Sequence, residues 1–214
     1  EEYPELALNE YLCMRVVQKA NICVPEFYLS QDRKLFIMKR FDIKEDNTYL
    51  GFEDMCVLFG KNRDDKYEGT YEQIAKTIKT FVSPKYKKES LENFFKMIVI
   101  NFLLKNGDAH LKNFGLIYDD ISNIKLAPAY DVVTTTVYIK NDIPALHFLG
   151  SKKWWKEKQL LRFGIEFCDL TVKEVSELYS LCVRAKDEII EEAKIYKNDE
   201  HLSEFIDNLI GKWS

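Results

Sequence analysis

The sequence has no run of about 18 apolar residues, the length a membrane-spanning helix needs. Its most apolar stretch, Phe94 to Leu104, is short and carries Lys96, so it reads as a core helix. No secretory signal is visible. The five cysteines (Cys13, Cys23, Cys56, Cys168, Cys182) are odd in number and contain no C-x-x-C pair. That pattern predicts reduced, partly buried thiols in a cytoplasmic protein. Excess positive charge is also lacking: 31 Lys and Arg stand against 35 Asp and Glu, a net charge of −4. Direct nucleic-acid binding is therefore not expected. No internal repeat or low-complexity segment is present. Residue 1 is Glu rather than Met, so further polypeptide is expected upstream.

What is present is an ordinary globular composition: 214 residues, 46% hydrophobic and 31% charged. A chain of this length makes one domain, or one domain and part of a second. It can bury roughly 70% of its unfolded surface and needs no disulfide or structural metal to hold a core.

Leu8, Leu12, Val16 and Ala20 recur at i, i+4 and predict a helix over about 5–20, with Pro4 at its first position. Val24–Leu29 and Leu35–Phe41 flank Ser30-Gln-Asp-Arg33 and read as a β-hairpin. Helices are predicted at about 52–59, 70–82 and 88–106. Asn106-Gly107-Asp108 then breaks the apolar pattern. Phe114–Tyr118 and Ile124–Ala127 read as a second hairpin, which Pro128 ends. An irregular stretch follows. Thr171-Val-Lys-Glu174 is a capping box opening a long helix with the face Val175, Leu178, Cys182, Ala185, Ile189 and Ala193. A last helix is predicted over about 200–212. The fold class is mainly α with small β-hairpins.

One segment concentrates polar side chains directly behind the apolar helix: Asn106-Gly-Asp-Ala-His-Leu-Lys-Asn-Phe114. Asp131 follows Asn113 by 18 residues, just past the second hairpin. That hairpin can set Asn113 and Asp131 side by side. An amide oxygen and a carboxylate held together suit Mg²⁺, which takes few protein ligands and completes its shell with phosphate and water. Asp108 can then stand one substrate hydroxyl away from a metal-bound phosphate. These are parts for phosphoryl transfer.

Asn106-Gly-Asp-Ala-His-Leu-Lys-Asn-Phe114 followed by Leu126-Ala-Pro-Ala-Tyr-Asp131 resembles the HipA-like serine/threonine kinases, toxin components of bacterial toxin–antitoxin modules. That family reads N-x-D-x-H-x-K-N-F and then L-x-P-A-Y-D. Tyr3-Pro-Glu5 with Asn9-Glu10 is similar to its glutamate-bearing helix, and Lys39-Arg-Phe-Asp42 to its nucleotide hinge. The resemblance covers residues 3 to about 135. It implies a protein-kinase-like fold: a small-lobe remnant over 1–41 and a helical lobe over 42–214. The catalytic loop would be 106–114 and the metal-binding segment 126–133. It implies ATP and Mg²⁺, with Asp108 as catalytic-loop aspartate and Asn113 and Asp131 as metal ligands. His110 would face phosphate, while Lys112 would anchor the loop or reach phosphate or substrate. Glu10 would pair with the ATP-binding lysine. Lys39 and Phe41 would meet adenine through their backbone and Asp42 the ribose, with Tyr130 on the nucleotide side. Two departures stand out: Tyr130-Asp131 is followed by Val132 rather than forming D-F-G, and no strand bearing the ATP-binding lysine precedes Glu10.

The partners so implied are a protein substrate, an aminoacyl-tRNA synthetase among them, and an antitoxin; no membrane is expected. Two other classes stay open: a non-catalytic kinase-shaped module that binds an antitoxin or repressor, and a small-molecule or lipid kinase. Lys152-Lys-Trp-Trp-Lys156 reads as one core tryptophan among solvated lysines rather than as a partner surface.

Overall fold

In the computed structural model, which describes residues 3–213, Leu6–Lys19 form helix α1. Leu8, Leu12, Cys13, Val16 and Val17 make its buried face. The helix starts two residues after Pro4, which lies in the preceding turn, and Glu5 caps it in the left-handed region at φ 58°. Pro4 is held outside the helix, its carbonyl accepting from the Tyr138 hydroxyl at 3.0 Å. Strands β1 (Phe27–Leu29) and β2 (Phe36–Met38) form the expected antiparallel hairpin. Phe27 meets Phe36 across it, ring centroids 5.7 Å apart, and Tyr11 of α1 edge-on at 5.8 Å.

The run expected to be helical over 52–59 divides in two. Gly51–Asp54 is strand β3, and only Met55–Leu58 is helical (α2). Strand β3 forms because it pairs antiparallel with β4 (Gly115–Tyr118), which in turn pairs with β5 (Lys125–Leu126). Asp54 makes the change of structure: its carboxylate accepts from the Val57 amide at 3.0 Å and caps α2. Gly115 is required in this sheet, since a Cβ there would lie 2.5 Å from the Phe52 ring.

Helices α3 (Tyr71–Phe81) and α4 (Pro84–Leu103) match the sequence pattern. Thr70 and Gln73 cap the first reciprocally, and Pro84 opens the second. Phe94, Phe95, Ile98, Val99 and Ile100 are wholly buried, making α4 the centre of the core. Lys96 is buried with them and donates to the carbonyls of Ala20 (3.1 Å) and Asn21 (2.6 Å). A charge at this depth is costly unless paired, and here it satisfies carbonyls at the C-terminus of α1, where the helix dipole favours a cation.

The stretch read as irregular contains a further helix, α5 (Glu157–Phe167). It has no side-chain N-cap and carries Gly164 in its interior, both poor helix signals. Packing explains the glycine: a Cβ there would come within 2.5 Å of Val175 and 2.8 Å of the Phe95 ring. Trp154 and Trp155, just before it, both pack on the core, so the expectation of a single core tryptophan there is corrected. Their indole N–H groups donate to the carbonyls of Asp142 and Phe148.

Helix α6 (Val172–Ala193) begins at the Thr171–Glu174 capping box and buries Val175, Cys182, Ala185, Ile189 and Ala193. Helix α7 (Glu200–Trp213) closes the described chain. All five cysteines are free, and only Cys23 is exposed. Burial pushes the Cys13 and Cys182 thiols up to about 12, so neither is a ready nucleophile. The fold is mainly helical with two small antiparallel sheets. Among the described residues no helix is long and apolar enough to cross a membrane.

Trp213 is buried, and its indole donates to the Thr134 hydroxyl at 2.7 Å. Trp213→Ala should therefore lower unfolding free energy by about 3–5 kcal/mol, the usual cost of emptying a large aromatic site. Urea denaturation checks this; an effect below about 1 kcal/mol would mean that α7 is docked independently of the body.

Candidate active site

The polar loop after α4 is built by short hydrogen bonds that its sequence makes with itself. Asn106 donates to the Asn101 side chain at 2.8 Å, and its oxygen accepts from the Asp108 amide at 3.0 Å. Gly107 N–H donates to the Thr135 hydroxyl at 2.7 Å. A Cβ at Gly107 would collide with the Asp142 carboxylate, which Thr135 also contacts. The loop then turns through a short 3₁₀ segment, Leu111–Asn113. The Asn113 side-chain oxygen accepts from the His110 amide at 2.9 Å, and the Tyr71 hydroxyl holds the Ala109 carbonyl at 2.9 Å.

Strands β4 and β5 return the chain to this loop. The amide of Asn113 donates to Asp131 Oδ2 at 2.5 Å. Asp131 has φ 58°, a left-handed conformation that Asp adopts more readily than most residues. The segment beyond it is tied to α1: Asn9 donates to the Thr134 carbonyl and accepts from the Thr134 amide, both at 3.0 Å. Glu10, the next residue of α1, thereby comes to line the same cleft as Asp108 and Asp131. The cleft holds about 610 Å³, and its other walls include Tyr67, Tyr138, Asp142, Ile143 and Lys152. His110 and Asn113 are buried behind it.

Electrostatics follow from this crowding. Burial, and then repulsion from Asp108, push the Asp131 carboxyl above its ordinary range, while His110, the bond from Asn113 and the charge of Lys66 pull the other way. Burial and the Asp131 charge push Glu10 up to about 7. Burial holds His110 below its usual value, opposed by Asp108. Its Nε2 lies 4.0 Å from Asp108 Oδ2. Among the described residues Glu10 has no cationic partner, and no group of three or more His, Cys, Asp and Glu side chains is arranged to enclose a metal. Asp131 offers carboxylate oxygens that suit a hard ion such as Mg²⁺, and Asn113 lies against it through its amide nitrogen, its oxygen accepting from the His110 amide.

The remaining sequence candidates lie elsewhere. Phe41 stacks on Tyr130 at 5.4 Å and meets Phe52 edge-on at 5.3 Å. Tyr130 donates its hydroxyl to the Lys112 carbonyl at 2.6 Å. Lys39, Phe41 and Asp42 do not line the cleft, and the Asp42 carboxylate is paired with Arg40. The Lys39 amide donates to the Glu26 carbonyl at 2.8 Å. Lys112 turns away from Asp108 and forms an ion pair with Asp54 at 2.5 Å, so here it anchors the loop to the β3–α2 junction. No motif marks Tyr67, whose hydroxyl donates to Asp108 Oδ1 at 2.6 Å, or Asp142. Both reach the site from distant segments that carry no local motif.

Glu10 keeps its proton in the native state up to about pH 7, whereas an ordinary glutamate ionises near 4.5. Between these values the native state binds more protons than the unfolded one, so this group lowers stability as pH rises. In metal-free buffer Glu10→Gln should remove that loss. The variant should gain about 1–3 kcal/mol over the parent at pH 8 and little at pH 4.5. Urea denaturation at the two pH values tests this; parallel pH dependence in the two proteins would mean that Glu10 is not desolvated.

A family model described as the HipA-like C-terminal domain matches residues 1–194. The chain is 30% identical over 169 residues to the Sinorhizobium fredii protein named "Putative kinase Y4dM", covering 72% of this chain and 40% of that protein. It is 34% identical over 152 residues to a Haemophilus influenzae protein named "Putative kinase", covering 64% and 44%. The chain thus spans about two fifths of the length of these curated relatives. Among solved structures it is similar to HipA of Shewanella oneidensis MR-1, determined in a toxin–antitoxin complex with HipB and operator DNA. The TM-score is 0.75 at 17% identity, over 99% of this chain and 56% of that one. The Helicobacter pylori proinflammatory kinase CtkA matches at a TM-score of 0.50 and 15% identity, over 86% and 84%. With the loop, the hairpin and Asp131 arranged as described, and the family model covering nearly the whole chain, this protein belongs to the HipA-like C-terminal domain family.

Proposed function

We propose that this chain is the catalytic lobe of an ATP- and Mg²⁺-dependent serine/threonine protein kinase of the HipA-like type. The observation that carries the reading is the contact of Asn113 with Asp131 at 2.5 Å, in a site whose cleft is lined by Asp108. Residues 1–41 are taken as the remnant of a small lobe and 42–214 as the helical lobe. Asn113 and Asp131 would hold the metal ion. When bound, Mg·ATP supplies the γ-phosphoryl group and positive charge to offset the negative charge that builds during transfer.

The chain's own residues do the rest. Asp108 orients the acceptor hydroxyl and accepts its proton. His110 is packed behind Asp108, its Nε2 4.0 Å from Oδ2. Glu10 faces a carboxylate and has no cationic partner among the described residues, which suits pairing with a lysine. The Phe41–Tyr130–Phe52 aromatic cluster supports the adenine side through Lys39 to Asp42. Protein acceptors, a translation factor such as an aminoacyl-tRNA synthetase among them, and an antitoxin partner are part of this reading by family.

In the full-length protein, Asp131→Asn keeps the left-handed backbone and an acceptor oxygen for Asn113 but removes the charge. It should abolish Mg²⁺-dependent nucleotide binding, read by calorimetry, and phosphoryl transfer, with little change in melting temperature. Asp108→Asn should bind Mg·ATP normally and transfer phosphoryl roughly 10²–10⁴-fold more slowly. Radiolabelled ATP offered with protein, lipid and sugar acceptors separates the acceptor classes. Parent-like transfer by Asp131→Asn would remove this residue from the metal site.

A further inference from the structure

Asp108 has two carboxylate oxygens, and their surroundings differ. Oδ1 accepts the Tyr67 hydroxyl at 2.6 Å. Oδ2 has no hydrogen-bond donor among the described residues; His110 Nε2 lies 4.0 Å from it. The Asp108 side chain is 48% exposed, so packing does little to fix its orientation. The terminal torsion of an aspartate is intrinsically broad, and an unrestrained carboxylate would spread its oxygens over many directions. One good bond to one oxygen fixes the plane and so aims the other.

Tyr67 is itself held for this task. Its ring meets the His110 ring edge-on, with centroids 5.3 Å apart, and Lys66 Nζ lies 4.8 Å from its centroid. The backbone around it is pinned on both sides. The Lys66 carbonyl accepts from the Leu111 amide at 3.1 Å, and the Gly69 carbonyl accepts from the His147 amide at 3.2 Å. Lys152 Nζ reaches the Tyr67 carbonyl at 3.4 Å. Burial and the Asp108 charge push the phenol upward, so it remains a donor at neutral pH. Tyr67 lies 41 residues before Asp108, outside every motif the sequence offered.

We infer that Tyr67 is a positioning residue for phosphoryl transfer, holding Asp108 through Oδ1 so that Oδ2 faces the acceptor hydroxyl. This rests on Asp108 acting as the base, as proposed above. In the step it serves, the acceptor oxygen forms a bond to the γ-phosphorus and the bond from that phosphorus to the bridging oxygen breaks. ADP departs, and the acceptor proton passes to Oδ2.

The test compares the parent, Tyr67→Phe and Asp108→Asn as full-length proteins, with labelled ATP and a protein acceptor. Tyr67→Phe keeps the ring on His110 and deletes only the hydroxyl, and its melting temperature should match the parent's. Its kcat should fall roughly 10- to 100-fold, the scale of a misaimed reacting group, while KM for Mg·ATP stays within about twofold. A purely structural role would leave kcat unchanged once folding is matched, and that result overturns the inference. A rise in ATP turnover without acceptor also overturns it, because the hydroxyl would then be blocking the base instead of aiming it. If the parent shows no turnover that depends on Asp108, the kinase reading fails and the role of Tyr67 fails with it. Parent activity lost in Asp108→Asn but retained in Tyr67→Phe defeats the inference alone.

Discussion

Asn9 has no exposed surface, and it gives both ends of its amide to the backbone of Thr134. The site depends on this pair of bonds. Residues at these two positions are 125 apart in sequence, yet the contact sets α1 against the segment that follows Asp131. Leaving a buried amide unpaired costs on the order of 1–3 kcal/mol per group, so the register of the two segments is strongly fixed. Glu10 and Asp131 face each other because Asn9 and Thr134 are fixed beside them. Trp213 donates to the Thr134 hydroxyl from a third direction. Helix α7 lies beyond the stretch matched by the family model, yet it takes part in holding the segment after Asp131.

The same geometry creates an electrostatic cost. Asp108, Asp131 and Glu10 line one cleft, and the last two carboxyls are pushed up by burial and by a neighbouring carboxylate. Carboxylates brought together without enough positive charge destabilise the state that gathers them. Packing of α1, α4 and α6 sustains the arrangement, with a buried core running from Leu8 to Trp213. A divalent ion entering such a cleft would remove repulsion already present.

Those parts of the site that the sequence made legible are the ones that local geometry fixes. Asp108 and Asn113 share one short loop, and a two-stranded return brings Asp131 back to Asn113 whatever packs around it. Helices with caps, such as α3 and α6, were equally legible, because Thr70–Gln73 and Thr171–Glu174 act within a single turn. The helix expected over about 52–59 begins as strand because a short run fits either period, and the β4 edge that decides between them is far away in sequence. Helix α5 was missed because Gly164 obeys its neighbours Phe95 and Val175, not helix propensity. Tyr67, Asp54 and Asp142 left no trace because each acts through a partner that only tertiary packing supplies.

Lys112 illustrates how far a motif can carry a residue's role. The loop pattern suggests a cation near phosphate, but the side chain meets Asp54, whose carboxylate also caps α2. Asp54 is itself largely buried, and a buried carboxylate without a cation would be costly. The Lys112 carbonyl meanwhile accepts from Tyr130, the residue before Asp131. One lysine therefore ties the 106–114 loop to the β3–α2 junction through its side chain and to Tyr130, beside Asp131, through its backbone. The loop that carries Asp108 and the aromatic cluster of Phe41, Phe52 and Tyr130 meet at that residue. Movement of the loop would be felt at both, which makes Lys112 more valuable as a fixed strut than as a mobile charge.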